Sequence, residues 1–426
     1  MVQQLFDPQR VDSERDPHNQ PIPVVPQIED QDIPQKVCVR KGLPDFGEGF
    51  PLGGSRDLEP RERFLFCFLS HFNQLPQARL ADYIHYNYVS ILRIYRVLSW
   101  YTTGSRGYMI PFAPLFRNRH LQTIAGYLWT RDGEEARFPL DRRLYRTEPG
   151  VEVLVQSQRP AGAVAGEIVT VHGLEGSGES GYARSLSGAA LRAGFAVHRF
   201  HMRTCGGTEH LCDTLYHAGL TSDLLSVLRQ LQQQQRTPAF LVGFSLGGNV
   251  VLKLAGELGE GARPLIRAVC AVCTPLDLAA CARHMKQREN RLYERRFVQR
   301  MLERLRATGR YQEAEFAGLR SVMDIDDRIT APSFGFGDAA NYYRTQSALR
   351  YLEGIRVPVL LIHAKDDPMV PFESCQSEVA LRNPQIEQCV TDHGGHMGFV
   401  GRKPHRFWLD ETIMEWILRH TEVLSE

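Results

Sequence analysis

The sequence predicts an α/β fold with a mostly parallel central sheet, helices on both faces of the sheet, and a helical insertion. Three observations lead to this prediction. Short β-branched runs alternate with helix-like segments from about residue 150, one of these runs leads through a glycine-rich turn into a helix, and residues 277–350 show no strand pattern. Continuous apolar strands that alternate with helices are typical of a parallel sheet covered on both faces.

Seven apolar runs are predicted to be strands, and three segments between them are predicted to be helices. The strands are Val151–Val155, Gly166–Val171, Phe195–Phe200, Ala239–Gly243, Ile266–Val272, Val357–His363 and Ile386–Val390. The helices are Tyr182–Ala193, Ser222–Gln232 and Gly248–Leu258. Active sites of such sheets lie at the carboxyl ends of the strands, so the residues that follow each strand are the first functional candidates.

Composition divides the chain near residues 102–108. Residues 1–107 contain a polar, proline-dotted stretch and are predicted to be an N-terminal extension, partly disordered and of unknown role. Residues 108–426 form the predicted α/β domain. Its charged, helical stretch of about 275–350 is expected to be a lid over the site, because long insertions after a strand often have that role.

Charge and hydropathy limit the expected partners. The formal net charge is +1, from 50 basic and 49 acidic residues, which does not indicate a nucleic-acid-binding protein. The sequence begins without an apolar signal segment, and no apolar run approaches the ~20 residues of a membrane-spanning helix, so a soluble cytoplasmic protein is expected. The aromatic stretch Ile84–Tyr101 has two interpretations, a peripheral membrane contact or a helix packed on its own protein, and we favour packing.

The nine cysteines are odd in number and show no disulfide framework, so free thiols in a reducing compartment are expected. Cys270 and Cys273 resemble a metal or redox pair. They fall in an apolar run that is predicted to be a buried strand, where a spacing of three should send their side chains to opposite faces. We therefore interpret both as core residues and predict no metal site.

The sharpest motif is Gly243-x-Ser245-x-Gly247, which lies between a predicted strand and a predicted helix. A sharp strand-to-helix turn exposes the serine hydroxyl, and the small residues on either side let the strand and the helix approach closely. Glycine-rich turns that contain a serine are common by chance. The combination of strand, turn and helix is much rarer, and it predicts Ser245 as a nucleophile.

A serine hydroxyl needs a histidine base, and the histidine needs a carboxylate to orient it. After Ser245, Asp366 and Asp367 follow the predicted strand at Val357–His363, and His393 and His396 follow the last strand. We choose Asp367 as the acid because it begins an Asp-x-x-Val-Pro arrangement typical of such loops. Asp366 remains the alternative. We choose His396 as the base because glycines flank it, and His393 remains its competitor.

The oxyanion of an acyl-transfer reaction needs two fixed N–H donors. One is expected from the backbone of Leu246, directly after the nucleophile. The other is expected from Leu174, in the loop His172-Gly-Leu174 that follows an earlier apolar strand. Loss of one such donor typically lowers turnover by about 10²–10³.

These motifs resemble the YheT-like branch of the α/β-hydrolases, which also contains hydrolase-domain proteins related to monoacylglycerol lipases. The resemblance covers roughly residue 108 to the C-terminus. It rests on the stretches Pro111–Thr123, His172–Ser177, Gly243–Asn249, Gly335–Tyr343, Asp366–Pro368 and Gly394–Phe399. One departure is His201, where the family usually has asparagine.

The resemblance implies the α/β-hydrolase fold and a carboxylesterase that acts on short-chain esters or monoacylglycerols through an acyl-enzyme. It places nucleophile, acid and base on Ser245, Asp367 and His396, requires no cofactor, and suggests that His120–Thr123 and Tyr342–Tyr343 shape the entrance. Two alternatives stay open: a thioester or amide hydrolase of the same fold, and a hydrolase-like protein that binds a ligand without catalysis. Oligomeric state is not indicated. The family-like part of the chain can begin near Met109.

Overall fold

An eight-stranded sheet organises the part of the chain that the computed structural model describes, residues 110–129, 133–235 and 237–421. The strands are β1 (Leu140–Glu148), β2 (Val151–Gln158), β3 (Glu167–Val171), β4 (Ala196–Phe200), β5 (Ala239–Phe244), β6 (Ile266–Val272), β7 (Val359–Ala364) and β8 (Ile386–Thr391). Their order across the sheet is β1-β2-β4-β3-β5-β6-β7-β8. The two pairs that involve β2 are antiparallel, and all other pairs are parallel.

Helices surround this sheet. They are α1 (Arg119–Leu128), α2 (Gly181–Arg192), α3 (Ser222–Gln235), α4 (Leu246–Leu258), α5 (Leu278–Met285), α6 (Arg291–Ala307), α7 (Val322–Ile325), α8 (Ala331–Ser333), α9 (Ala339–Gln346), α10 (Glu378–Arg382) and α11 (Trp408–Thr421). Short 3₁₀ turns occupy Glu134–Arg137, Gly259–Ala262, Arg288–Asn290, Glu313–Phe316, Ala348–Gly354 and Phe372–Gln376, and a π-helical turn occupies Asp326–Thr330.

The predicted α/β fold with a mostly parallel sheet is confirmed, and each of the seven predicted strands overlaps an observed one. Several observed elements were not predicted, including the edge strand β1 and helices α1, α10 and α11. The edge strand β1 carries charged, mostly exposed side chains and lacks the apolar alternation of a half-buried strand. The C-terminal helix α11 was also missed, although it buries two tryptophans.

Two apolar clusters cover the two faces of the sheet. Side chains alternate along each strand, so Leu241 belongs to one cluster and Val242 to the other. Helices α3 and α4 complete the first cluster, and α2 and α11 complete the second. Each fully buried apolar side chain stabilises the fold by roughly 1.5–3 kcal/mol relative to an exposed one. This rigid frame fixes the strand ends that carry the candidate site.

Residues 278–346 contain helices α5 to α9 and no strand, as the charge pattern predicted. The predictions for residues 1–107, including the stretch 84–101, lie outside the described residues. Across the described ranges, no helix combines the length and the apolar character that a membrane crossing requires.

Candidate active site

Ser245 lies at the tight turn between β5 and α4. Its backbone has φ 51° and ψ −117°, a strained conformation for a residue other than glycine. A Cβ atom at Gly243 would collide with the backbone of Gly247, and one at Gly247 would collide with the carbonyl oxygen of Val171. Both glycines are therefore required for the turn to bring the strand and the helix together, as the motif predicted.

The structure brings Ser245, His396 and Asp367 into one hydrogen-bonded row. His396 Nε2 lies 3.1 Å from Ser245 Oγ, and His396 Nδ1 lies 2.9 Å from Asp367 Oδ2. With its proton on Nδ1, the imidazole donates to the carboxylate and accepts from the serine hydroxyl. Ser245 follows β5, Asp367 follows β7 and His396 follows β8, so the three side chains meet at the carboxyl edge of the sheet.

The carboxyl group of Asp367 is fully buried. Its Oδ1 accepts hydrogen bonds from the backbone N–H groups of Met369, at 2.8 Å, and Val370, at 3.0 Å. Burial alone would raise the pKa of Asp367, but His396 and these donors outweigh it and hold the pKa below its usual value. The group is therefore ionised at neutral pH, as a partner that orients an imidazole must be.

The two competing candidates bind each other instead. Asp366 Oδ2 lies 3.2 Å from His393 Nδ1, and Asp366 Oδ1 accepts the backbone N–H of Gly395 at 2.9 Å. This pair ties the end of β7 to the loop that carries His396. The geometry thus places Asp366 and His393 beside the hydrogen-bonded row and not in it.

Leu174 and Leu246 both line the cavity next to Ser245. Within the described residues, the backbone N–H of neither leucine has a hydrogen-bond acceptor. Leu246 is the first residue of α4, where an N–H group has no partner inside the helix. Two unpaired N–H groups beside the hydroxyl fit the predicted oxyanion donors.

A buried ion pair fixes the loop after Leu174, and sequence reasoning missed it. Glu175 has a positive φ of 54°, and its carboxylate accepts hydrogen bonds from Arg304 Nε, at 2.9 and 3.1 Å, and from the Tyr216 hydroxyl, at 3.0 Å. The Glu175 N–H donates to the same tyrosine oxygen at 3.0 Å. Because Arg304 belongs to α6, the helical insertion is bonded directly to the residue that follows the predicted oxyanion donor.

Helix α1 supports the loop that carries the histidine. The Thr123 hydroxyl accepts the backbone N–H of His396 at 2.9 Å and donates to the carbonyl of Arg119 at 2.7 Å. A Cβ atom at Gly126 would lie only 2.6 Å from the Cα of Gly398, so glycine permits this close approach. The resemblance had suggested that His120–Thr123 shapes the entrance, and the contact of Thr123 with His396 adds a supporting role.

The cavity beside Ser245 is mainly apolar, and most of its wall comes from the helical insertion. Apolar lining residues of the insertion include Leu278, Ala282, Met285, Phe297, Met301 and Val322. Tyr342 and Tyr343 also line the cavity, in agreement with the resemblance, and the Tyr342 hydroxyl accepts the N–H of Ala218 at 2.8 Å. An apolar cavity with a few polar groups suits a partly apolar small molecule.

One carboxyl group lies in this apolar wall. Asp326 is buried within the π-helical turn, and its Oδ2 accepts a 2.7 Å hydrogen bond from the Tyr343 hydroxyl. Burial raises the pKa of Asp326 to about 6, although hydrogen bonds from Tyr343 and Thr330 oppose the rise. A π-helical turn often marks a functional position, and this one places a titratable group in the cavity.

Cys273 lies beneath the histidine loop and accepts the N–H of Met397 at 3.4 Å. Both Cys270 and Cys273 are buried, as predicted, but the prediction that they face opposite sides of the sheet is wrong. Strand β6 ends at Val272, and a φ of 46° at Cys273 turns its side chain into the same apolar cluster as Cys270.

Within the described ranges, Cys273, Asp367 and His396 form one group of ligand-type side chains close enough to hold a metal ion. Burial raises the pKa of the Cys273 thiol well above its usual value, which disfavours the thiolate that a metal requires. Asp367 and His396 are also bonded to each other. We therefore interpret Cys273 as a packing residue.

Comparison with known proteins shows which family this chain resembles. A family model described as the α/β-hydrolase fold matches residues 167–402, a range that contains Ser245, Asp367 and His396. YheT of Escherichia coli (strain K12), which is named as an inferred esterase, is 35% identical over 328 residues, 74% of this chain and 95% of that protein.

Two other proteins, one known by sequence and one by a solved structure, are also similar to this chain. The monoacylglycerol lipase of Saccharomyces cerevisiae is 27% identical over 275 residues, which make up 60% of this chain and 60% of the lipase. Among solved structures, the Pyrococcus furiosus esterase Pf2001 superposes with a TM-score of 0.48 at 18% identity, over 74% of this chain and 99% of that one.

Proposed function

This chain belongs to the esterase- and lipase-like α/β-hydrolase fold family, and we propose that it is a serine carboxylesterase that works through an acyl-enzyme. The observation that carries the proposal is the row of Ser245, His396 and Asp367, with contacts of 3.1 and 2.9 Å. The unpaired N–H groups of Leu174 and Leu246 beside the serine support it.

In the proposed reaction, Ser245 Oγ forms a bond to the ester carbonyl carbon while His396 Nε2 takes the hydroxyl proton. The N–H groups of Leu174 and Leu246 stabilise the negative charge that develops on the carbonyl oxygen. The bond to the alcohol oxygen then breaks, and His396 gives its proton to the leaving alcohol. Water, activated by the same imidazole, releases the carboxylic acid and restores the serine.

Small-molecule acyl esters are the proposed substrates, either short-chain esters or monoacylglycerols. The apolar cavity wall supports an acyl chain as the part of the substrate held there. The named activities of the bacterial and yeast relatives point to the same class. We also infer that residues of about 275–350 act as a lid, because α5, α6 and α9 supply much of the wall around Ser245.

Labelling with a fluorophosphonate probe tests the nucleophile. We expect the native protein to be labelled and Ser245→Ala to remain unlabelled, with a fall in ester turnover of roughly 10⁶-fold, as in a comparable triad. Ser226→Ala, on α3 and outside the hydrogen-bonded row, is the matched control and should be labelled normally. Equal labelling of native protein and Ser245→Ala, or no labelling of either, would overturn the proposal.

A panel of p-nitrophenyl esters of increasing chain length, with matched thioesters and amides, tests the substrate class. We expect kcat/KM to be highest for an ester and to depend on the acyl chain, because the chain contacts the apolar wall. A clear preference for the thioester or the amide would contradict ester hydrolysis while leaving Ser245 as nucleophile. Labelling without turnover of any compound would favour a ligand-binding protein.

A further inference from the structure

The exposed apolar side chains are concentrated in one region. Ten large apolar side chains are exposed within the described ranges, and seven of them lie on α1, next to it, or at the start of α6. Leu128 and Tyr127 are 69% and 67% exposed, and Leu292 on α6 is 81% exposed. The others are Phe116, Leu121, Ile124 and Trp129. A concentration of exposed apolar side chains in one region often marks an interaction site.

Direct contacts join the two helices into one surface. Arg296 on α6 donates to the Tyr127 hydroxyl at 2.7 Å, and its guanidinium lies 5.0 Å from the centre of the tyrosine ring. His120 Nδ1 on α1 lies 3.2 Å from the Tyr293 hydroxyl on α6. We call the outward side of α1 and α6, with Phe116 and Trp129, the α1–α6 surface.

This surface is basic as well as apolar. Four arginines of α6 are exposed, and none of them forms an ion pair with a carboxylate in the parts of the chain that the structure describes. They are Arg291, Arg295, Arg296 and Arg300. At the other end of α1, the guanidinium of Arg406 lies 4.7 Å from the ring centre of Trp129. Exposed Arg402 and Lys403 precede it in the chain.

The combination fits one kind of partner, a lipid–water interface with anionic headgroups. Leucine, tryptophan and tyrosine side chains enter the boundary of the acyl region, and nearby arginines attract negative headgroups. The exposed arginines favour an anionic partner, and a layer of lipid headgroups offers negative charge all around the apolar side chains that enter it.

The inner sides of the same helices reach the candidate active site. The Thr123 hydroxyl of α1 holds the backbone of His396, and Phe297 and Met301 of α6 line the cavity beside Ser245. A lipid surface in contact with the outer side would therefore lie one helix away from the hydrogen-bonded row.

We propose that the α1–α6 surface docks this protein on an anionic lipid surface. Docking itself does not depend on catalysis. Its use, the supply of acyl-ester substrates from that lipid surface, rests on the proposed esterase function.

Co-sedimentation of the full chain with phosphatidylglycerol/phosphatidylcholine vesicles tests docking. We expect the full chain to bind the anionic vesicles at least tenfold more tightly than vesicles of pure phosphatidylcholine. Binding to the anionic vesicles should weaken as the salt concentration is raised. Leu128→Asp with Leu292→Asp should weaken binding at least tenfold, and Arg295→Glu with Arg300→Glu should do the same. Turnover of a soluble short-chain ester should be unchanged in both double variants. This measurement is the control that both variants fold.

Two matched controls lie elsewhere on the molecule. Leu381→Asp replaces a leucine that is 65% exposed on α10, and Arg229→Glu reverses an exposed charge on α3. Both should bind vesicles like the native protein. An equal loss of binding in these controls would overturn the proposal, as would native protein that ignores anionic vesicles.

Two further outcomes would also overturn docking through this surface. Binding that survives both double variants would place the lipid contact elsewhere, for example at residues 84–101. A concentration-dependent dimer that both double variants abolish, without vesicle binding, would make the surface an interface between two copies of the chain. Native protein that binds vesicles but is not labelled by fluorophosphonate would leave docking intact and remove the esterase proposal alone.

Discussion

Asp366 and Asp367 are adjacent in the chain, yet each carboxylate binds a different histidine. Asp367 orients His396, and Asp366 ties His393 and Gly395 to the end of β7.

Asp367→Asn keeps the shape of the side chain but favours the wrong tautomer of His396, so we expect kcat to fall by about 10⁴-fold. Asp366→Asn is the matched variant. Its kcat should fall far less, because the substitution only weakens the bonds between Asp366 and the loop that carries His396. Steady-state kinetics with a soluble ester decide the assignment. A larger loss in Asp366→Asn would exchange the two roles.

Asp326 should make stability depend on pH. Its pKa in the folded protein is about 6, above the ordinary value of 3.8, so the folded state holds more protons between these values. Stability from this group is fully present below about pH 4 and is lost as pH rises through about 6. Asp326→Asn keeps an acceptor for Tyr343 without the buried charge. We expect its free energy of unfolding to exceed that of native protein more at pH 7 than at pH 4.

Urea unfolding at several pH values between 4 and 7 measures this difference. Asp213→Asn serves as the control, because the side chain of Asp213 is almost fully exposed and its substitution should leave the pH dependence unaltered. A constant difference between Asp326→Asn and native protein across the pH range would show that the burial of Asp326 does not raise its pKa.

At the scale of single residues, the sequence predicted the three side chains of the hydrogen-bonded row. It did not predict which other residues hold the backbone around them in place. Ser245, Asp367 and His396 follow strand ends in a recognisable order, so their meeting place was predictable. Thr123 was expected only to shape the entrance, and Arg304 belongs to no local motif; their hydrogen-bond partners lie 273 and 129 positions away in the chain. A contact over that distance is set by how helices pack, which the sequence pattern of one segment does not contain.

We propose that the link between α6 and the loop of Leu174 makes Arg304 a positioning residue. Removal of its guanidinium in Arg304→Met leaves the Glu175 carboxylate buried without its ion pair, which typically costs about 3–5 kcal/mol of stability. Because the neighbouring Leu174 N–H would lose its fixed position, we expect kcat for a soluble ester to fall roughly ten- to a hundredfold. KM should change little. Kinetics and thermal unfolding together measure the two effects.

A double-mutant cycle separates positioning from general destabilisation. Glu175→Gln combined with Arg304→Met removes both buried charges and should be more stable than Arg304→Met alone. Its kcat should stay low, because the bond between α6 and the loop is still absent. Arg300→Met, an exposed position on the same helix, is the control. An Arg304→Met variant that is less stable but keeps native kcat would refute the positioning role.

Elements were predictable where burial shapes their composition. The central strands β3, β5 and β6 are buried along nearly their whole length, so each appears as a mainly apolar run. Strand β1 lies at the edge and pairs with one neighbour, and its side chains are mostly exposed and charged. Nothing in its pattern distinguishes it from a loop; its register with β2 is what makes it a strand.

Ile110 and Phe112 both contact Trp408, at the start of the C-terminal helix α11. The indole N–H of Trp408 donates to the Ile110 carbonyl at 2.6 Å, and the Phe112 ring lies 4.9 Å from that of Trp408. We propose that residues 108–426 are the α/β-hydrolase domain. A chain that begins at Gly107 should then keep native-like thermal unfolding and kcat/KM for a soluble ester.

A shorter chain that begins at Arg119 provides the contrast. It lacks both contacts with Trp408 and the Asn118 side chain, which accepts the first N–H groups of α1. We expect it to unfold at a lower temperature. If the chain that begins at Gly107 is itself inactive or aggregates, the proposed boundary is wrong.

For the molecule as a whole, strand alternation predicted the fold class, but it did not predict the order of strands across the sheet. That order has β4 between β2 and β3, and no single motif in the sequence contains it. The resemblance supplied the family before the structure did, because the turn at Ser245 and the loop of His396 are local patterns.

The hydroxyl of Thr123 limits how small this catalyst can be made. An engineer who grafts only residues 167–402, the family-matched core, into a minimal enzyme would retain Ser245, Asp367 and His396, the proposed nucleophile, acid and base. That fragment would lack the hydroxyl that fixes the backbone of His396, since α1 precedes the matched range by some forty residues in the chain. We therefore expect that the smallest active fragment must include helix α1, although α1 lies outside the family-matched residues 167–402.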